Sequence, residues 1–189
     1  MKVIIKDPQI RKALISKLSK QGSGDAIISE EVSVLRGRAV ADVVAGFKTP
    51  HCFEIKSDAD SLRRLEFQTD FFSQTFPKIT LVATTKHLPK AFDLIPSFWG
   101  ALAASEYKGR IIFSSVRKCS SNELYRKENL LNIIWNNELR EILKSKSIKN
   151  YKNLDRAQLT SALARESGQD EAYKIFNSFL ETKAKAKNE

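Results

Sequence analysis

Asp42, Glu54, Lys56 and Gln68 are residue types that together could cut a phosphodiester bond with the help of a divalent cation. Asp42 sits in the apolar run VADVVAGF. Glu54 and Lys56 form an acidic–x–basic triplet in the next run, CFEIKSD. Gln68 is set in the apolar stripe of LRRLEFQTDFF. Strand side chains alternate with period two, so Asp42 is expected to share a face with Val40 and Val44, and Glu54 with Lys56. Val43, Phe53 and Ile55 are expected to face the other way, into a core.

Two carboxylates a few ångströms apart repel by roughly 4 kcal/mol at an effective dielectric of 20. Fold stability gives no reason to place them together, whereas a divalent cation removes the repulsion. Mg²⁺ needs only one or two carboxylates, with waters and substrate phosphate completing its shell. Asp42 and Glu54 are the expected ligands of Mg²⁺ or Mn²⁺, with the carbonyl of Ile55 as a further one. Lys56 would orient the attacking water or balance transition-state charge. Gln68, an amide on a face that should meet the sheet, needs polar partners there. Glu30 and Glu31 are adjacent, so on a regular strand one faces solvent and the other the site; Glu31 is favoured for the site.

These residues need elements to hold them. Residues 7–20 read as a helix, with Pro8 in the first turn and Ile10, Leu14 and Leu18 in one stripe. Gly22 and Gly24 are its stop signals. Residues 26–35, 39–47 and 52–57 read as three strands joined by short turns, hence as antiparallel hairpins. Asp58 and Asp60 suit the start of a helix running to about Gln74, with Leu62, Leu65, Phe72 and Phe76 on its apolar face. KITLVATT is apolar enough for a central strand covered on both sides. A loop and a short fifth strand, GRIIFSSV, follow. From about Ser121 the pattern is helical only: LLNIIWNNELREILK is amphipathic, and two further helices carry Leu159 and Leu163, then Tyr173, Phe176 and Leu180. The expected architecture is α/β, an αβββαβ core with a mixed sheet at 1–120 and an all-helical C-terminal extension at 121–189.

The chain has 189 residues, 42% hydrophobic and 29% charged, which is the composition of an ordinary globular protein. No apolar run is long enough for a membrane span, and MKVIIKDPQIRK lacks a signal-peptide core, so a cytoplasmic location is expected. Cys52 and Cys119 make neither a disulfide framework nor a zinc site and read as small buried hydrophobes. Net charge is +10. Residues 1–120 carry +7 of it and residues 121–189 carry +3. The excess lies with the candidate site, which favours a polyanionic partner, DNA first. The terminal ETKAKAKNE reads as a frayed helix end.

The pattern D-x(11)-E-x-K resembles the PD-(D/E)XK nuclease superfamily, the restriction-endonuclease-like fold. The later glutamine resembles the VRR-NUC and Holliday-junction-resolvase branches. The strings ADV, FEIKSDADSLRRLEFQ, ITLVATTKH, IPSFWG and LLNIIWNNEL resemble an uncharacterised bacterial and phage family of that superfamily, over roughly residues 29–143. The resemblance implies the αβββαβ core and a Mg²⁺ site at Asp42, Glu54 and Lys56, with Gln68 and an upstream glutamate assisting. Two positions depart from the pattern. The arginine expected two residues before the aspartate is Val40, with Arg38 close enough to substitute. The aromatic hydroxyl expected after the glutamine is absent, leaving Phe71 and Phe72.

The functional expectation is therefore a metal-dependent nuclease hydrolysing DNA, with a homodimer as one way to cut both strands. Arg38, Arg63 and Arg64 are the candidate phosphate contacts, although Asp58, Asp60, Arg63 and Arg64 read first as helix capping and helix-surface charge. The alternatives are a catalytically inactive nucleic-acid-binding or partner-binding module on the same fold, and a toxin or antidefence effector acting through a protein partner. His51 reads as an exposed turn residue, His87 as structural, and Trp99 and Trp135 as packing residues.

Overall fold

A computed structural model describes residues 4–21 and 26–186. Its six strands are β1 (Ile27–Val34), β2 (Ala39–Gly46), β3 (His51–Lys56), β4 (Lys78–Thr84), β5 (Gly100–Tyr107) and β6 (Arg110–Arg117). Its helices are α1 (Asp7–Leu18), α2 (Leu65–Thr75), α3 (Leu88–Phe92), α4 (Lys127–Leu131), α5 (Asn136–Ser145), α6 (Arg156–Glu166) and α7 (Gln169–Ala186). The strands form one mixed sheet in chain order, β1 to β6. β3, β4 and β5 run parallel at its centre, and antiparallel pairings complete both sides. The chain is thus mixed α/β.

Two cores follow from the two faces of the sheet. On one face α1 lays Ile10, Leu14 and Leu18 against Val43, Ala45, Phe53, Ile55 and Val82. On the other, α2 and the helices after residue 126 cover Val44, Cys52, Ile79 and Leu81 with Phe72, Phe76, Phe176 and Leu180. β4 is buried on both faces, as its unbroken apolar run requires. The C-terminal helices share their core with the sheet and with α2: the Phe76 and Phe176 rings lie 6.5 Å apart.

Several elements differ from the sequence reading. α2 begins at Leu65, not at Asp58. Neither aspartate caps it. The Asp60 carboxylate accepts from the Ser57 backbone N–H at 2.8 Å and hydroxyl at 2.6 Å, and Asp58 accepts from the Ile5 N–H at 2.9 Å. Asp60 closes a local turn in the link between β3 and α2, as Asp side chains can, and Asp58 ties that link to the segment before α1. A strand was missed at β5, whose GALAASEY is built from residues of low strand propensity. It is held by β4 on one side and by the hairpin turn at Lys108 and Gly109 on the other, both at positive φ as a two-residue hairpin loop requires. The loop before it holds the short α3. The amphipathic stretch LLNIIWNNELREILK is not one helix: it breaks between α4 and α5, and Arg156 donates to the freed carbonyls of Asn132 and Ile134. His51 lies in β3 rather than in an exposed turn, stacked on Phe53 at 4.2 Å between ring centres. Burial, with Lys78 nearby, pulls its imidazole down to about pKa 3. Cys52 is buried, whereas Cys119 is partly exposed. Gly22 and Gly24 lie outside the described residues, as do the last three residues of the terminal stretch.

Candidate active site

β3 carries Glu54 and Lys56 on one face, two residues apart. Both are almost fully buried, at 1% and 6% exposure. Charged side chains are buried to this degree only when paired. The Lys56 ammonium donates to Glu54 Oε1 at 2.6 Å and to Gln68 Oε1 at 3.0 Å. Lys56 therefore ties a strand carboxylate to an amide on α2. Gln68, half-buried in the first turns of that helix, finds the polar partner its position demanded.

Asp42 reaches the same place because β2 and β3 part there. Their ladder runs from Ala45 opposite His51 to Val43 opposite Phe53 and then stops. The next β3 donor is taken by a side chain: the Ile55 N–H donates to Asp42 Oδ2 at 2.8 Å. A carboxylate substitutes for a ladder carbonyl, so the Ile55 N–H keeps a partner where the strands separate.

Alternation also fails at this point. Ala39 and Ala41 belong to the core on the α2 face, and Val43 and Ala45 to the core on the α1 face. Val44 joins Ala39 and Ala41, and Val40 is exposed. Asp42 therefore does not share one regular face with Val40 and Val44. The cause lies across the hairpin. Glu31 has φ of +53°, and the Glu31–Asp42 position is missing from an otherwise regular β1–β2 register. Left-handed backbone at a glutamate costs on the order of 1–3 kcal/mol and is concentrated at functional sites.

A cleft of about 320 Å³ opens where the strands part. Asp42, Glu54, Ile55, Lys56, Gln68 and Glu31 line it, as do Arg38 and Arg64 at its exposed rim. Arg63 is exposed and does not line the cleft. His87 is buried outside it, its backbone N–H bonded to the Thr84 carbonyl. Trp99 is a core residue bonded to Ser73, and Trp135 packs edge-on against Phe179.

Sequence reasoning missed Asp7, Asp60 and Phe67, which also line the cleft, and above all Arg11. From α1, Arg11 donates to the Asp42 carbonyl at 2.7 Å and to Asp42 Oδ1 at 2.9 Å. It also donates to both carboxylate oxygens of Asp7, at 2.8 and 3.1 Å, and lies 3.9 Å from Glu30. The i,i+4 spacing of Asp7 and Arg11 was visible, but nothing in it pointed to β2.

The electrostatics are those of a crowded acidic site. Burial pushes the Glu54 carboxyl up to about pKa 8, repulsion from Asp42 adds to it, and Lys56 pulls the other way without prevailing. Burial opposes the Arg11 charge, but bonds to and attraction from Asp7 and Asp42 outweigh it, leaving a firmly held cation. Burial raises the Cys52 thiol, and so do Glu54 and Asp42. Linkage gives Glu54 a definite sign. Between its ordinary value of 4.5 and about 8, the folded state holds more protons than the unfolded chain. Stability therefore falls as pH rises through that window. Without added metal, chemical denaturation at pH 5 and pH 8.5 should show wild type losing stability relative to Glu54→Gln. A pH-independent difference would contradict the assignment.

The residues present suit a hard divalent cation. Glu54 Oε2 is buried without a hydrogen-bond partner. Each Asp42 oxygen accepts one bond and keeps a further lone pair. Among the described residues no group of three or more His, Cys, Asp and Glu side chains is arranged to hold a metal. Two carboxylates with a backbone carbonyl and waters are the set Mg²⁺ accepts. Among the described residues, no helix is long and apolar enough to cross a membrane.

Comparison with known proteins gives three findings. Protein cII of Enterobacteria phage P4 is 29% identical over 144 residues, covering 76% of this chain and 54% of that protein. The chain thus spans about half the length of the curated relative it matches. A solved Silicibacter pomeroyi protein of unknown function superposes with a TM-score of 0.49 at 16% identity, covering 76% of this chain and 92% of the other. The family described as bacteriophage P4 protein cII matches residues 1–188, and the chain belongs to that family.

Proposed function

We propose that this chain is a metal-dependent nuclease of the PD-(D/E)XK kind that hydrolyses phosphodiester bonds of DNA. One observation carries the reading: a buried glutamate with an unpartnered oxygen stands beside a second carboxylate and under a lysine, in a cleft open to solvent. The element order α1, β1, β2, β3, α2, β4 supports it as the αβββαβ arrangement. Asp42, Glu54 and the Ile55 carbonyl would hold Mg²⁺ or Mn²⁺. When bound, such an ion stabilises charge on the scissile phosphate and lowers the pKa of a water.

The chain's own side chains supply the rest. Lys56, fixed between Glu54 and Gln68 on the cleft wall, would hold its ammonium beside the attacking water. It favours the hydroxide form of that water and the extra negative charge of the five-coordinate state. The water gives up a proton to solvent, its oxygen bonds to phosphorus as the bond from phosphorus to the leaving sugar oxygen breaks, and that sugar oxygen takes a proton from solvent. Arg38 and Arg64 at the rim would position flanking phosphates, and Glu31 would complete the outer part of the site. With one such cleft per chain, cutting both strands would call for two copies.

A second reading has its own observation. The two bonds from Arg11 to Asp42 are what a non-catalytic nucleic-acid-binding or partner-binding module would use to keep that carboxylate occupied. Purified protein incubated with single-stranded, duplex and branched DNA, in Mg²⁺, Mn²⁺ or EDTA, separates the two. Divalent-dependent cleavage supports the nuclease. Salt-sensitive binding with no cleavage of any substrate supports the module.

A further inference from the structure

We infer that Arg11 is a positioning residue of the site: it fixes the Asp42 carboxylate and supplies, before any cation binds, a positive charge that compensates Asp42 beside the buried Glu54. The inference rests on the nuclease reading and deepens it.

Arg11 holds Asp42 at two points, its backbone carbonyl and Oδ1. The Ile55 N–H holds Oδ2. A carboxylate gripped at both oxygens and at its own main chain has a fixed plane, and its remaining lone pairs have fixed directions. Asp7, one helical turn before Arg11, takes the other edge of the guanidinium and sets its orientation. A lysine could not replace this fork, because its ammonium is a point charge without planar geometry.

Charge accounts for the rest. Lys56 and Glu54 are paired with each other. Arg11 faces Asp7 and Asp42 together, with Glu30 at 3.9 Å, so one positive charge meets at least two negative ones. Arg11 thus offsets the Asp42 charge from one side and leaves Asp42 lone pairs free for a cation, whose arrival ionises Glu54. Its partner Asp7 reaches the cleft wall from α1, opposite the wall formed by Gln68, Gly37 and Arg38. Arg11 is not among the residues that line the cleft.

A residue that substitutes for part of a cation's charge should matter most when the cation is absent. The test is thermal unfolding of wild type, Arg11→Gln and Arg11→Lys in EDTA and in saturating Mn²⁺. Wild type should gain about 5–10 °C with Mn²⁺. Arg11→Gln should melt lower in EDTA and gain about 5 °C more than wild type when Mn²⁺ is added. Arg11→Lys keeps the charge but loses the fork, so its Mn²⁺ shift should match that of wild type. With DNA as substrate, Arg11→Lys should lower kcat with KM unchanged, because Asp42 is misaligned while the rim that binds substrate is intact.

The outcomes are separable. If Mn²⁺ shifts wild type but shifts Arg11→Gln no further, Arg11 is merely structural and the inference is overturned while the metal site stands. If Mn²⁺ shifts no protein, the metal reading and the inference fall together. If Arg11→Gln does not fold in EDTA, Arg11→Lys decides: a shift equal to that of wild type supports the charge role, and a larger one overturns it.

Discussion

Lys56→Ala should reduce divalent-dependent DNA cleavage by about 10²–10³-fold, with substrate binding largely kept. The magnitude is that of removing one preorganised donor from a site where transition-state charge develops. Lys56 is well suited to that role because its position is over-determined. Its stem is buried, and its ammonium is held by Glu54 at 2.6 Å and Gln68 at 3.0 Å. It has no freedom to lose when the reaction proceeds. Asp42→Asn should cost at least as much, since it removes a ligand charge while keeping the side chain's shape. The two substitutions differ in one respect: Asp42→Asn should also weaken metal affinity, and Lys56→Ala should leave the metal ligands in place. Single-turnover cleavage under saturating Mn²⁺ checks both. Cleavage by Lys56→Ala within a few-fold of wild type would mean that the chemistry, if any, happens elsewhere.

Phe176→Ala should destabilise the fold by about 3–5 kcal/mol, the range for truncating a fully buried aromatic. Phe176 is 0% exposed. Its ring neighbours Phe179 on its own helix and Phe76 at the end of α2, with centre-to-centre distances of 6.4 and 6.5 Å. The cavity left behind would be bounded by two rigid elements on either side of the 120/121 boundary drawn from sequence. Phe76 closes the same helix that carries Gln68. Urea denaturation should show a lower midpoint with an unchanged slope and a single transition. A loss below about 1 kcal/mol, or two separate transitions, would mean that the C-terminal helices fold as an independent unit.

How much of this was legible in the sequence depended on the kind of signal. Periodicity gave α1, the β1–β2–β3 meander and central β4, because Ile10, Leu14 and Leu18, or the KITLVATT run, state their environment directly. It failed at β5, where alanines acquire strand structure only from their neighbours on either side. It failed again at residues 132–135, where the apolar spacing continues across a break that Arg156, more than twenty residues later, satisfies. The start of α2 was misplaced because an aspartate before an apolar run signals a helix cap, and Asp58 and Asp60 bond elsewhere.

The site divides in the same way. Asp42, Glu54, Lys56 and Gln68 lie on neighbouring elements, and residue spacing brings them together in the cleft. Arg11 does not, because its partner lies 31 residues away across a tertiary contact. Nor does the positive φ at Glu31, which breaks the alternation the strand reading relied on. Glu31 lines the cleft, as favoured, but Glu30 approaches Arg11 instead of simply facing solvent.

Titration of Mn²⁺ into the purified protein by calorimetry tests the central claim most directly, namely that the acids of β2 and β3 converge on one hard cation. The account predicts saturable binding at one site per chain, accompanied by proton release near pH 7 as the raised Glu54 carboxyl ionises. Both effects should disappear in Asp42→Asn and Glu54→Gln. Absence of saturable binding by wild type, or equal binding by wild type and both variants, would contradict it.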